Sequence, residues 1–143
     1  MEVEIRRALD TDAEEIAPLL AQLVHEPCSP AQVRARMARL SGNPLVHSIV
    51  AVLDGRVVGL ASLHVEPHIH ADLPAGRLMN IVVDERCRGQ GIGRALVAAV
   101  VEMARAAGCD RLELTSRLAR VDAHRFYESQ GFEHTSKKFQ KLI

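Results

Sequence analysis

The sequence lacks the features that mark membrane-spanning, secreted and nucleic-acid-binding proteins. Its longest uninterrupted apolar run, residues 95–101, is far shorter than the roughly 20 residues that cross a bilayer. The first ten residues lack the basic and then apolar order of a secretory signal, so we expect a cytoplasmic protein. Lysine plus arginine and aspartate plus glutamate both total 18, and a chain without net charge has no overall attraction to nucleic acid or to an anionic membrane.

Cysteines and domain boundaries are also scarce. Cys28, Cys87 and Cys109 are an odd number at wide spacings, which fits neither a disulfide framework nor a zinc motif, so we interpret them as free thiols. No repeat, low-complexity tract or long linker divides the chain. Because 143 residues is an ordinary size for one domain, we expect residues 1–143 to form a single domain.

Apolar periodicity and turn residues predict a mixed α/β fold. Residues 3–6 alternate apolar and polar side chains, as in a short strand, and two helices follow. The first helix contains Pro18, which should kink or restart it, and the second begins at the cap Ser29 with Pro30 behind it. The pair Asp54-Gly55 between two β-branched runs predicts a tight hairpin over residues 48–65.

The second half of the chain predicts three more strands and two more helices. The strands are expected at residues 78–83, from Leu112, and at 132–142; the helices are expected at 91–107 and 122–130. The longer helix carries an apolar stripe and ends at Gly108.

Three glycines at alternate positions separate a predicted strand from the long helix. Gly89, Gly91 and Gly93 leave backbone N–H groups unshielded where the helix dipole is positive, which predicts a phosphate or pyrophosphate site. Arg88 and Arg94 flank the glycines and add donors for phosphate oxygens. The spacing does not fit the Gly-x-Gly-x-x-Gly of dinucleotide-binding folds, and no Gly-Lys pair exists for a nucleoside-triphosphate loop.

Two segments resemble a known family. Residues 88–93, Arg-Gly-Gln-Gly-Ile-Gly, match the Arg/Gln-x-x-Gly-x-Gly/Ala signature of the GNAT superfamily of acetyl-CoA-dependent N-acetyltransferases. Residues 123–132, Ala-His-Arg-Phe-Tyr-Glu-Ser-Gln-Gly-Phe, resemble its later block, in which a tyrosine-bearing helix leads into Gly-Phe. The resemblance implies an α+β fold with a single mixed, mostly antiparallel sheet of six to seven strands and about four helices, in which strands four and five splay apart.

The resemblance also implies an enzyme. It would transfer an acetyl group from acetyl-CoA to the primary amine of a small molecule by direct attack in a ternary complex. The pyrophosphate would lie on the amides of the glycine loop, the pantetheine arm would pair with the preceding strand, and Tyr127 would be the general acid. The cofactor-binding residues it implies are Ile81, Val82, Val83, Arg88, Gly89, Gln90, Gly91, Ile92, Gly93, Arg94, His124, Phe126 and Tyr127.

The proton acceptor for the attacking amine is predicted among histidines and one glutamate. His64, His68 and His70 follow the hairpin and could take the proton, bind an anionic part of the substrate, hold a metal ion or belong to an exposed loop. We predict that they bind the acceptor, with His68 and His70 also catalytic, and that Glu113 could act through water. No nearby cysteine completes a usual ligand set, so no metal site is predicted, although a divalent cation stays an alternative.

The sequence leaves more than one possible acetyl acceptor. Leu63-His64, His68-x-His70 and residues 122–127 resemble the aminoalkylphosphonate acetyltransferase branch, which implies small amines carrying a phosphonate as acceptors and the three histidines in their pocket. Alternatives are a protein lysine or N-terminal amine as acceptor, a module that senses acyl-CoA without turnover, and a nucleotide-binding regulator. A homodimer is expected through late strands or sheet edges.

Overall fold

The computed structural model describes residues 2–116, 118 and 120–143. The chain divides into two compact units, with the boundary between Glu113 and Leu114. In this part of the chain the strands are β1 (Glu4–Arg7), β2 (Val46–Leu53), β3 (Arg56–Glu66), β4 (Ala75–Val83) and β5 (Leu112–Glu113). The helices are α1 (Ala13–Val24), α2 (Pro30–Leu40), α3 (Ile92–Ala106) and α4 (Val121–Ser129). Only α4 belongs to the second unit, and the single domain stays a prediction.

The five strands form one mixed sheet in the order β1-β2-β3-β4-β5. The first four are antiparallel, whereas β5 runs parallel to β4 and pairs with it at two positions only, Gly76 with Leu112 and Arg77 with Glu113. Beyond these pairs β4 continues to Val83. The mixed, mostly antiparallel sheet is therefore confirmed, and β4 and β5 part after Arg77 as the splayed arrangement requires.

Two local predictions are confirmed in detail. In the β2–β3 hairpin Leu53 pairs with Arg56, and Asp54 and Gly55 have φ of 50° and 77°, the positive values of a tight primed turn. At the start of α2 the Ser29 hydroxyl accepts a hydrogen bond from the N–H of Gln32, whose side-chain oxygen accepts one from the N–H of Ser29. This reciprocal pair satisfies two N–H groups that the helix itself leaves without acceptors.

Of the kink or restart predicted at Pro18, the restart is wrong, because α1 runs unbroken from Ala13 to Val24. Proline cannot donate to the carbonyl of Glu14 one turn earlier. Both Pro18 and Glu14 are exposed, so water can satisfy that carbonyl, while the other side of the helix packs Ile16 and Leu19 in the core.

Helices pack on both faces of the sheet. A side-chain carbon added to Gly59 would lie 3.0 Å from Leu96 Cδ1 on α3, so Gly59 faces α3 and a larger residue there would require Leu96 to shift. Its neighbour Leu60 packs in a buried cluster with Ile16 and Leu19 of α1. Because successive residues of a strand point to opposite faces, α1 and α3 lie on opposite sides of β3.

The described residues form five strands, fewer than the six to seven expected. The terminal strand expected at 132–142 does not form. Apolar residues alone do not make a strand, since its N–H and C=O groups need a neighbouring strand as partner. The described residues after Glu113, which are 114–116, 118 and 120–143, contain no strand, and Phe139 and Leu142 are 92% and 86% exposed. In the described residues, no helix is long and apolar enough to span a membrane.

Candidate active site

The predicted glycine loop is an open turn between β4 and α3. Gly89 and Gly91 have φ of 79° and 81°, a left-handed conformation that costs side-chain-bearing residues about 1–2 kcal/mol. A side-chain carbon added at either glycine would meet nothing within 4 Å. The backbone conformation therefore favours glycine at both positions, and the space above the loop is free for a ligand.

The first turn of α3 gives this loop the character of an anion site. The N–H groups of Ile92, Gly93 and Arg94 have no acceptor within the helix, and the helix dipole is positive at that end. Arg94 is exposed, and Arg88, also exposed, donates from Nε to the carbonyl oxygen of Val83 at 3.2 Å. Bare amides and two guanidinium groups around an open turn fit a diphosphate.

Asp84, which the sequence analysis did not single out, anchors the start of the loop. The side chain is buried and accepts hydrogen bonds from the Arg86 backbone N–H at 3.0 Å and from Arg86 Nη2 at 2.9 Å. The Arg86 guanidinium lowers the pKa of the Asp84 carboxyl to about 2, against the opposing effect of burial. Arg86 is thereby engaged, which leaves Arg88 and Arg94 for a ligand. An aspartate that directly follows a buried strand and precedes a short turn is the signal that could have revealed it.

We expect Asp84→Asn to lower the free energy of unfolding by about 1–2 kcal/mol at pH 7, because it removes the charged partner of Arg86. The folded-state pKa lies below the ordinary 3.8, so this stabilisation is complete above about pH 4 and is lost as the pH falls towards 2. Urea unfolding of both proteins at pH 7 and pH 3 measures it. Glu85→Gln, at an exposed neighbouring carboxylate, should change the unfolding free energy by less than about 0.5 kcal/mol. An Asp84→Asn difference that is equal at both pH values would contradict the pairing.

A β-bulge lies at the start of the predicted pantetheine strand. Leu60 pairs with Val82 and Ser62 pairs with Met79, so Ala61 lies opposite two residues of β4. One of these two, Asn80, has φ of 56°. Bulges and left-handed residues other than glycine concentrate at functional sites, and this one turns the strand just before Ile81.

The segment Ile81–Val83 keeps one backbone edge open. The Val82 side chain is buried in the cluster that includes residues of α1, and on the edge of β4 towards β3 its backbone pairs with Leu60. On the edge towards β5, no strand of the described chain pairs with β4 after Arg77. The apolar side chains therefore serve the core, while main-chain groups on that edge can pair with an extended ligand.

A second group of predicted residues meets at the opposite end of β4. His68, His70 and Glu113 line one cleft of about 300 Å³, which we call the histidine cleft. Its other ionisable lining residues are Glu66, Arg77, Asp110 and Arg111. The His68 and His70 rings are tilted to each other with centroids 5.1 Å apart. His64 does not line the cleft but is the cross-strand partner of Arg77.

The histidine cleft and the glycine loop are separated along β4. Arg77 and Val83 are six residues apart on the strand, which at about 3.3 Å per residue is roughly 20 Å. His68 and His70 therefore cannot touch a diphosphate at the loop, and an acceptor would have to reach from their cleft towards the bulge. Among the residues that the structure describes, no three His, Cys, Asp or Glu side chains are grouped to hold a metal ion.

A larger groove of about 700 Å³ lies between β1, β2 and the second half of α3. Its lining is mainly apolar, with Arg6, Arg7 and His47 at the edge, and contains none of the predicted site residues. Size alone therefore does not identify the site, and the chemistry favours the loop and the histidine cleft.

The remaining predicted residues lie on α4 in the second unit. Tyr127 is buried, and its ring contacts Phe126 and Phe132 edge to face, with centroids 5.5 and 6.0 Å apart. Burial raises the pKa of Tyr127 above its usual value of 10, with a weaker opposing effect from Arg120. The phenol therefore keeps its proton throughout the neutral range. His124 is half-buried one turn earlier.

Several known proteins are similar to this chain in sequence or fold. The aminoalkylphosphonate N-acetyltransferase of Salmonella typhimurium is 34% identical over 140 residues, which cover 98% of this chain and 91% of that protein. The glucosamine 6-phosphate N-acetyltransferase of Trypanosoma brucei brucei is 37% identical over 79 residues, 54% of this chain and 52% of that protein. The crystal structure of a transcriptional regulator from Bacillus halodurans C-125 superposes with a TM-score of 0.90 and 28% identity, covering 99% of this chain and all of that one.

The acetyltransferase (GNAT) family matches residues 10–132, which include both the glycine loop and the helix that carries Tyr127. With an open anion site at the start of α3, and a strand edge left unpaired beside it, the chain belongs to the GNAT family and is an acetyl-CoA-dependent N-acetyltransferase.

Proposed function

We propose that this protein acetylates the primary amine of a small molecule that itself carries an acid group. The observation that carries the proposal is the glycine loop, whose open, left-handed glycines and helix N-terminus suit the pyrophosphate of coenzyme A. Two relatives support the acceptor class, since their names specify amines that bear a phosphonate or a phosphate.

In this proposal the cofactor lies along the path that the fold leaves open. The amides of residues 88–94, with Arg88 and Arg94, hold the pyrophosphate, and the free edge of Ile81–Val83 pairs with the pantetheine arm. His124 and Phe126 are proposed as further cofactor contacts. Acetyl-CoA supplies a thioester whose acyl carbon is open to attack by an amine.

The chain's own task is to manage two protons. A primary amine resembling lysine has a pKa of about 10.4, so it must lose a proton before its nitrogen can bond to the acyl carbon. Glu113, His68 and His70 are the groups proposed to receive that proton, directly or through water. Glu113 is the last residue of β5 to pair with β4, and therefore the one of the three placed where the strands part.

The second proton is needed where the carbon–sulfur bond breaks. The departing thiolate is stabilised by a donor, and Tyr127 is the group proposed for this role. Its burial supports the proposal, because a raised pKa keeps the hydroxyl protonated and able to donate. A cytoplasmic location and a homodimer stay predictions.

The proposal predicts that mixing the protein with acetyl-CoA and a panel of small amines releases free thiol. 2-Aminoethylphosphonate should release it at least about tenfold faster than the amine-free background, since an oriented amine replaces water as nucleophile. Free thiol is followed with a chromogenic disulfide. A peptide bearing lysine and a free N-terminus tests the protein-acceptor alternative, and binding of acetyl-CoA without thiol release from any amine would indicate a sensor.

A further inference from the structure

Arg77 occupies the position where β4 and β5 part. It pairs with His64 on β3 and with Glu113 on β5, and this is the last pair between β4 and β5. Paired residues on neighbouring strands project from the same face of a sheet, so His64, Arg77 and Glu113 form a row.

The row projects from the face opposite α3. A side-chain carbon added to Gly76 would lie 3.1 Å from Leu63 Cδ1 and 3.3 Å from Ala104 Cβ of α3, so Leu63 points to that helix. His64 is the next residue along β3 and must point the other way, together with its partner Arg77.

The Nη1 and Nη2 nitrogens of the Arg77 guanidinium group are open to a ligand. Nε donates to Glu66 Oε1 at 3.2 Å, which fixes the plane of the group. Among the described residues, no acceptor lies within hydrogen-bond distance of Nη1 or Nη2 of Arg77. The side chain is 30% exposed and lines the histidine cleft, so these two nitrogens form a fork open to a ligand.

The other arginine of the cleft is engaged. Arg111 donates from Nε and Nη2 to the two carboxylate oxygens of Asp110, at 3.1 and 3.2 Å. Asp110 occupies two of the five N–H donors of Arg111, whereas Glu66 occupies one of the five donors of Arg77. Arg77 is therefore the less engaged of the two arginines of the cleft.

Glu113 places an available negative charge beside this fork. In the part of the chain that the structure describes, its carboxylate accepts no hydrogen bond and forms no ion pair, although it lines the same cleft. Its charge acts on Arg111, where it contributes to the raised pKa of that guanidinium, but no hydrogen bond holds the carboxylate in place. A carboxylate without a hydrogen-bond partner next to the open donors of Arg77 matches a short zwitterion, with an acid group at one end and an ammonium group at the other.

We propose that Arg77 determines the acceptor specificity of the enzyme by binding the acid group of the acceptor through Nη1 and Nη2. Glu66 is a positioning residue that holds the fork, and Glu113 faces the amine. This inference rests on the proposed acetylation of a small amine. An arginine fork binds two oxygens of one phosphonate or carboxylate at once, which a lysine cannot do.

The test compares two acceptors of similar size, 2-aminoethylphosphonate and propylamine, at saturating acetyl-CoA. Hydrogen bonds to charged groups contribute about 1.5–3 kcal/mol, so Arg77→Gln should raise KM for 2-aminoethylphosphonate by roughly 10-fold to 100-fold. KM for propylamine should change by less than about threefold, because propylamine has no acid group for the fork to bind. Arg77→Lys keeps the charge and should recover part of the loss. Arg34→Gln, which removes an exposed ion pair with Glu14, is the matched control.

Calorimetric titration of 2-aminoethylphosphonate into the CoA complex gives a second readout, independent of turnover. Equal losses for both acceptors in Arg77→Gln, or an equal phosphonate-specific loss in Arg111→Gln, would overturn the assignment while acetylation itself stands. Arg77-dependent binding without acetylation of either amine would uphold the assignment and refute the proposed function. If the protein neither binds nor acetylates the phosphonate, the specificity assignment and the proposed function are both overturned.

Discussion

Gly91→Asp should weaken acetyl-CoA binding by about 100-fold or more. The new carboxylate would project into the open space above the loop, where the diphosphate is proposed to lie, and unrelieved like charges cost several kcal/mol. The fold should survive, because no atom lies within 4 Å of the added carbon and the left-handed backbone costs a side-chain-bearing residue only about 1–2 kcal/mol. Fluorescence or calorimetric titration with acetyl-CoA measures the loss.

Gly91→Asn separates charge from shape. Asparagine has almost the volume of aspartate and tolerates the left-handed backbone equally well, so it should lose far less affinity than the aspartate variant. Gly108→Asp is a second control, since Gly108 has φ of 82° and equally open surroundings just beyond the other end of α3. Undiminished acetyl-CoA binding by Gly91→Asp would refute the assignment of the pyrophosphate to this loop.

Tyr127→Phe should lower kcat by about 100-fold or more and leave the affinity for acetyl-CoA almost unchanged. Positioned acids contribute about 10²-fold to 10⁴-fold to rate, and the change removes only the hydroxyl. The ring contacts with Phe126 and Phe132 are kept, so little stability should be lost. Steady-state kinetics with a separate titration of acetyl-CoA distinguish a lost proton donor from a lost binding contact.

The pH dependence of the rate adds an independent check on Tyr127. Because burial raises the pKa of its hydroxyl above the usual value, the donor form predominates at neutral and mildly alkaline pH. A fall in rate with its midpoint well below about pH 10 therefore belongs to another group and should remain in Tyr127→Phe. If Tyr127→Phe has the kcat of the wild-type enzyme, Tyr127 is not the general acid. Phe132→Leu is the control: it loosens the packing around Tyr127 but keeps the hydroxyl, so it should retain most of the wild-type kcat.

Features that depend on a few neighbouring residues were predictable from the sequence. The Asp54-Gly55 hairpin, the Ser29 cap and the glycine loop each depend on backbone conformations that particular residues favour. The chemistry of the loop followed from the same local pattern, since glycines before a long amphipathic helix expose N–H groups wherever that helix lies in the fold.

Features that depend on strand register were not predictable. The bulge at Asn80 is defined only by the pairing of β3 with β4, and in sequence residues 78–83 look like one continuous apolar strand. His68 and Glu113 are 45 positions apart and share a cleft only because β5 pairs with the first residues of β4. The free fork of Arg77 is equally invisible, because it depends on which acceptors the neighbouring strands bring within reach.

The bulge adds one residue to β4 and shifts the odd–even alternation of its side chains by one position. Arg77 and Met79 lie on the same side of the sheet as His64 and Ser62, and after the two residues opposite Ala61, Val82 lies on that side too. The residues on this side are therefore odd-numbered before the bulge and even-numbered after it. A deletion at Asn80 would leave one residue opposite Ala61 and restore a regular alternation, with Arg77 and Val82 still on the side away from α3. The pairing of β4 with β3 can therefore accommodate a deletion at the bulge, whereas a deletion of Leu78 with the bulge kept would turn Arg77 towards α3.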